Sequence, residues 1–378
     1  MKSLGQKQSA LFLFAAALFL SFALIFAASA AEYTPQQQQT IAQLKQQMAG
    51  MRNFDCSTSE RVGVPRVIIA MLDDIDPLLV GKNVIFSDRW LDYIGEEKSI
   101  SRTRFADFVS KMDRAHDAFA DLVGNNTTSR RKLFIDISYK QEETDHGLVA
   151  AHAHVMRDII CVAAPKENFW FEVTRHGSWS ATLLHEIGHM FAPPTIGWRA
   201  NAETFANLKV AYALETLNAR FGVLGVNARG NRTRGTQFRG NQYRTYEFNM
   251  AVQKFRRNEM TSFAYCSCQT GSAFDFYIYG LVDRVGWETY KKAFHSYQDP
   301  AFVSEYAYSG ERVHVQARDF IDRLAFFSGK PDVLSSLPDR GALLDEHFPV
   351  TVRKLSPEEI QQRQQRQQQP QQRRGRVR

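Results

Sequence analysis

Apolar and polar residues alternate at two different periods along this chain, and the change of period divides it. Short apolar runs bounded by polar residues fall at VPRVIIAML (64–72), KNVIFSD (82–88) and RKLFIDISYK (131–140), and each predicts a strand. GLVAAHAHVMRDIICVA (147–163) holds two more, and His152 and His154 alternate with alanines, so they share one side of a strand. Such a pair could ligate a metal, but a cleft edge or plain exposure is the expected role. Helical spacing appears at 36–49 and in TRFADFVSKMDRAHDAFADLVG (103–124), an amphipathic helix closed by Gly124.

From about residue 178 the pattern is mainly helical. In SWSATLLHEIGHMFA, Ala181, Leu183, Leu184, Ile187, Met190 and Phe191 recur at helical spacing; Ser178 or Ser180 can cap the start, and Pro193-Pro194 ends the helix. NAETFANLKVAYALETLNARFG follows as a second helix, with Asn201 as its cap and Leu208, Ala211, Tyr212 and Leu214 as its apolar stripe. Residues 223–248, rich in Gly, Asn and Arg with few apolar anchors, read as a long loop or flap, and 250–330 returns to helical patterns. No internal repeat is evident. The expected class is α+β: a small mixed sheet beside helix 181–191, then a mainly helical C-terminal half.

The chemistry lies in His185-Glu186-Ile187-Gly188-His189. Positions i and i+4 of a helix stand one above the other, so two neutral imidazoles can meet one Zn²⁺ ion. Glu186 lies between them and can act as general base on a water held at the metal. A hydrolytic zinc site takes a third protein ligand and keeps one position open, and Glu203, near the start of the next helix, supplies a carboxylate. Glu215 competes with it from one or more turns further on, where it is expected to be solvated. Asn207, at i+4 from Glu203, lies on the same face and can hydrogen-bond a ligand. The expectation is one Zn²⁺ per chain on His185, His189 and Glu203, with Glu186 catalytic.

HExxH followed by a glutamate on the next helix resembles the gluzincin layout, and more closely the enhancin-like, mucin-degrading metallopeptidases. His185, Glu186, Gly188, His189, Glu203 and Asn207 fit the HE(L/I)GH and E-x-x-x-N pattern of that superfamily. FDFYIYGLVDRVGWETYKKAFHSYQ resembles its later helices through Gly286, Trp287, Phe294 and Tyr297. VQARDFIDRLAFFSGKPDVLSSL resembles its closing segment. The short His189–Glu203 connection and the basic insert at 225–260 depart from the family. The resemblance implies a zincin-like domain, with 147–155 as a substrate-binding edge strand beside the active helix. It further implies a downstream tyrosine or histidine at the oxyanion. Tyr277 and Tyr279 are the first candidates, and Tyr265 and His295 the others.

The chain has 378 residues, 44% hydrophobic, which is ample for a buried core. Lys2 and Lys7, an apolar run and Ala28-Ser29-Ala30 read as a secretory signal over 1–31, although the run is long enough for an uncleaved anchor. Either places the catalytic part outside the cytosol. Cys56, Cys161, Cys266 and Cys268 suit an oxidising compartment. Three pairings exist, and Cys266 and Cys268 are too close for an easy mutual bridge, so each is expected to pair with Cys56 or Cys161. Asn125, Asn126 and Asn231 stand in N-x-T sequons, which matter only in a eukaryotic secretory path.

Net charge is +7, unevenly placed. Nine Lys/Arg face two Glu between 220 and 260, and eight face two in the Gln-rich tail from 353. These segments could meet an anionic glycan or surface, or serve as solvated segments; no nucleic-acid fold signature accompanies them. The expected division is a signal at 1–31, a Gln-rich linker or packing arm at 32–60, a catalytic domain at 61–350 and a disordered basic tail at 351–378. Within the catalytic domain, 61–192 carries sheet and active helix and 193–350 is mainly helical. The favoured function is a secreted zinc endopeptidase, with a glycoprotein or mucin-like preference implied by the resemblance alone. The alternatives are a gluzincin protease or aminopeptidase without glycan preference, and a non-catalytic surface-binding protein of the same fold.

Overall fold

A computed structural model of the chain describes residues 33–49, 75–92, 101–124, 132–138, 143–144, 147–148, 151–154, 158–163, 179–191, 202–226, 232–257, 272–299, 301–330, 332–337 and 344–365. In chain order these give helix α1 (Pro35–Ala49), strand β1 (Val84–Phe86), α2 (Arg102–Val123), β2 (Leu133–Ser138), β3 (Glu143–Thr144), β4 (Gly147–Leu148), β5 (Ala151–His154) and β6 (Ile159–Ala163). They continue with α3 (Ala181–His189), α4 (Ala202–Thr216), β7 (Arg220–Val226), β8 (Arg232–Arg239), α5 (Gln242–Arg256), α6 (Ala273–Val285), α7 (Trp287–Ser296), β9 (Tyr306–Ser309), α8 (Arg312–Ser328) and β10 (Thr351–Lys354). The expected signal segment, the strand at 64–72, Pro193-Pro194, Asn201, Tyr265, the three sequons, and Cys56, Cys266 and Cys268 lie outside these residues. Cys161 is buried on β6.

The sheet runs β1-β2-β6-β5. β1, β2 and β6 are parallel, and β5 turns back antiparallel along β6 with His152 opposite Cys161. β5 therefore forms one edge among the described strands, and α3 packs against it. Helix α2 packs on β1 through Phe105 and Phe108, which meet Phe86, and Phe119 further along meets Phe191; Met112 and Leu122 are buried with them. Its ends follow the expected chemistry. Ser101 accepts from the Arg104 N–H at 3.2 Å, and Gly124, at φ 86°, closes it in the left-handed region.

The second half is helical. Phe205 of α4, Phe274 of α6, Phe294 of α7 and Phe320 of α8 meet edge-on or tilted, with centroids 4.9–6.5 Å apart. Such pairs add roughly 0.5–1.5 kcal/mol each beyond the area they bury. They pack α4 against α6, α7 and α8. From Thr204 to Leu214 every residue but the half-buried Asn207 is buried, so burial extends well beyond the expected single apolar stripe.

Three expectations change. The loop at 223–248 is an antiparallel hairpin, β7–β8, followed by the first part of α5. Its two strands pair antiparallel although the sequence shows no apolar alternation there. The tail boundary at 351 cuts an ordered element. β10 pairs antiparallel with β9, and helical residues 357–365 follow. All four residues of β10 are exposed, which left it no apolar signature. Glu215 is also not solvated. It accepts from Arg244 Nε at 2.6 Å and Trp287 Nε1 at 3.0 Å, tying α4 to α5 and α7.

Candidate metal centre

Helix α3 begins where Ser180 accepts from the Leu183 N–H at 3.1 Å. Leu183, Leu184, Ile187 and Met190 are buried, and His185 and His189 lie one turn apart on the remaining face. Their rings stand perpendicular, with Nε2 atoms 2.9 Å apart. From α4, Glu203 places one carboxylate oxygen 2.8 Å from His185 Nε2 and the other 3.5 Å from His189 Nε2. One donor atom from each of the three residues lies within 4.8 Å of the others.

This donor set fits a divalent cation. Two imidazole nitrogens aimed at each other and at a carboxylate share more lone pairs than protons, and the N, N, O combination suits zinc. Asn207 Oδ1 sits 2.8 Å from His185 Nδ1, so the carbonyl oxygen accepts and the ring proton resides on Nδ1. In the neutral ring the Nε2 lone pair then points at the convergence. The two histidine side chains stay 14% exposed and that of Glu203 27%, so a water can reach the centre.

Electrostatics bind the three groups to one another. Burial pulls the His185 pKa down, but the hydrogen bond the protonated ring donates to Glu203, then the charges of Glu186 and Glu203, outweigh it and raise it to about 8. Burial would push the Glu203 carboxyl up, yet its contacts with His185 and His189 hold it far below the usual carboxylate range. Glu186 itself is buried, close enough for its charge to act on His185.

The protein-family model for peptidase M60, enhancin and enhancin-like, matches residues 96–315, a span that takes in both helices of this centre. The chain belongs to that family. It is thus placed among metallopeptidases, built here as a small sheet and a larger helical part. No curated protein and no solved structure matched the chain.

Two features seat the centre of this M60 chain. Gly188 lies against α4 so closely that a Cβ would sit 3.0 Å from the Ala206 carbonyl oxygen and 3.1 Å from its Cα. The missing side chain lets α3 and α4 approach until Glu203 meets both imidazoles. Beside it, Lys209 is buried and donates from Nζ to the Gly188 carbonyl at 2.8 Å. Burial pulls its pKa down to about 7. Lys209 stands as a lone cation inside the apolar run TFANLKVAYAL, the sequence mark of this buried donor.

The tyrosines lie elsewhere. Tyr277 packs edge-on against Phe276 and Phe348, while Tyr279 lies among Tyr243, Glu247 and Asp275, and each is 1% exposed. A phenol that steadies an oxyanion must face the cleft, so this burial favours packing over substrate contact. His295 faces the end of α2, its Nε2 3.2 Å from the Asp121 carbonyl oxygen. The side chains of His152 and His154 lie outside the description, and only their backbone on β5 is placed.

Proposed function

We propose that the chain is an exported, zinc-dependent endopeptidase of zincin-like architecture. The observation that carries this is the convergence of His185, His189 and Glu203, with Glu186 beside them. His185, His189 and Glu203 would hold one Zn²⁺. The ion would supply Lewis acidity, lowering the pKa of a water and polarising a peptide carbonyl. Glu186 takes the proton of the attacking water and returns it to the leaving amine. Asn207 keeps the His185 ring in the tautomer that presents Nε2. Strand β5, an edge among the described strands and alongside α3, can take an extended peptide as a further strand.

Family membership supports a protein substrate and a glycoprotein or mucin-like preference. The basic stretch at 220–260 and the basic tail would favour anionic glycans. Export rests on the signal pattern at 1–31; among the described residues no helix is long and apolar enough to cross a membrane. Pairing of Cys266 and Cys268 with Cys56 and Cys161 belongs to the same proposal. So does the division into signal, Gln-rich arm, catalytic domain and tail, its last boundary moved past β10.

The test is a library of peptides and glycoproteins, digested with and without chelator, with cuts mapped by mass spectrometry. Cleavage that stops on chelation and returns with zinc is expected. Glu186→Gln should keep one zinc per chain and lose about 10²–10⁴-fold in turnover. Full activity in a zinc-loaded Glu186→Gln variant would remove the general-base role.

A further inference from the structure

We propose that Lys209 is a positioning residue for the metal centre: its ammonium group locks α3 onto α4 and so sets Glu203 against His185 and His189. The inference rests on the metal reading of that centre. Lys209 is 2% exposed, and its Nζ hydrogen bond goes to the carbonyl of Gly188, inside the motif and next to His189. Among the described residues no carboxylate forms an ion pair with it. Burying an ammonium group away from water is unfavourable relative to an apolar side chain of similar length. That cost marks a site where the donor is needed.

The position explains the need. Gly188 lies in the last turn of a nine-residue helix, where backbone carbonyls lack intrahelical partners and the helix dipole favours a cation. Its carbonyl also accepts from the Phe191 N–H at 3.2 Å, so Lys209 completes the same terminus. Along α4, Glu203 meets the two imidazoles, Ala206 meets Gly188, Asn207 meets His185 and Lys209 meets the Gly188 carbonyl. One face of α4 is thus given to α3, with the ligand at one end and the lysine at the other. Apolar contact alone would let two such helices slide, whereas a directional bond at Gly188 fixes their register.

The experiment compares wild type, Lys209→Met and Val210→Ala, each full-length and loaded with zinc. Lys209→Met keeps the aliphatic stem and removes the donor; Val210→Ala trims a neighbouring buried side chain and controls for general loosening. Zinc release to a chromogenic chelator is the first readout, and the visible spectrum of the cobalt-substituted proteins the second. Lys209→Met is expected to release zinc about tenfold faster, the scale for losing support behind a ligand. Its cobalt spectrum should differ from wild type, while Val210→Ala leaves both unchanged. A wild type that binds no zinc would sink the metal reading itself. A wild type that binds zinc, beside a Lys209→Met variant with the same release and spectrum, would overturn the role of Lys209 alone. So would a Lys209→Met chain that fails to fold, or equal effects in both variants, since either makes the lysine a general element of stability.

Discussion

Asn207 shows how much one side chain can settle. Its Oδ1 is 2.8 Å from His185 Nδ1, and by accepting there it leaves Nε2 with a free lone pair. Without it the ring can carry its proton on Nε2, toward Glu203, where a cation would have to compete. Asn207→Ala is therefore expected to weaken metal binding about 10–100-fold, with the fold retained. Competition titration against a chelator of known affinity measures it, and an unchanged affinity would make Asn207 an ordinary helix amide. The role was readable at the level of spacing, because i+4 from Glu203 shares its face. Which of the three ligands it would serve was not readable, since that depends on how two helices cross.

At the scale of elements, the α3–α4 contact is the decisive one, and Gly188 is its narrowest point. A methyl group there meets the backbone of Ala206, which cannot swing aside as a flexible side chain would. Gly188→Ala should push the helices apart by a few tenths of an ångström and cost about 1–3 kcal/mol. It should also loosen the metal, because Glu203 moves with α4. Urea unfolding of the chelated protein measures the first effect and zinc stoichiometry after dialysis the second; wild-type values in both would mean the interface has slack. Elements with one buried face, such as α2 with its Gly124 stop, could be read from the chain almost to the residue. Those without that contrast could not. β7–β8 lacks apolar alternation in its sequence, β10 is exposed along its length, and α4 is buried at nearly every position from Thr204 to Leu214, so none shows the periodicity that marks a half-buried element. The centre was legible because its ligands are close in sequence on two adjacent helices. The pairing of Glu215 was not legible, because its partners, Arg244 and Trp287, arrive from 29 and 72 positions away.

The whole molecule stores opposing pH dependences, and Glu247 is the clearest handle on them. It is 4% exposed on α5. Burial first, and the nearby Asp275 charge second, push its carboxyl up to about 8, with only partial relief from Tyr243 and Lys254. Asp275 is itself committed, because it closes the capping box of α6 with Ser272. A carboxyl raised in the folded state holds a proton that the unfolded chain has released. Its stabilising contribution is therefore complete below the ordinary glutamate value and is lost as pH climbs through about 8. Lys209 acts with the other sign. Its pKa is depressed, so the unfolded chain binds the proton more readily and stability rises with pH from about 7 toward the ordinary lysine range. Raw melting curves blend the two, and only a difference isolates Glu247. Glu247→Gln keeps the size and removes the titration. The gap in melting temperature between Glu247→Gln and wild type should widen in favour of the variant between about pH 6 and about pH 8.5, reaching roughly 2–4 °C in the zinc-loaded protein. A gap that stays constant across that range would show that Glu247 is already ionised where it is buried, with a cation or water network compensating it.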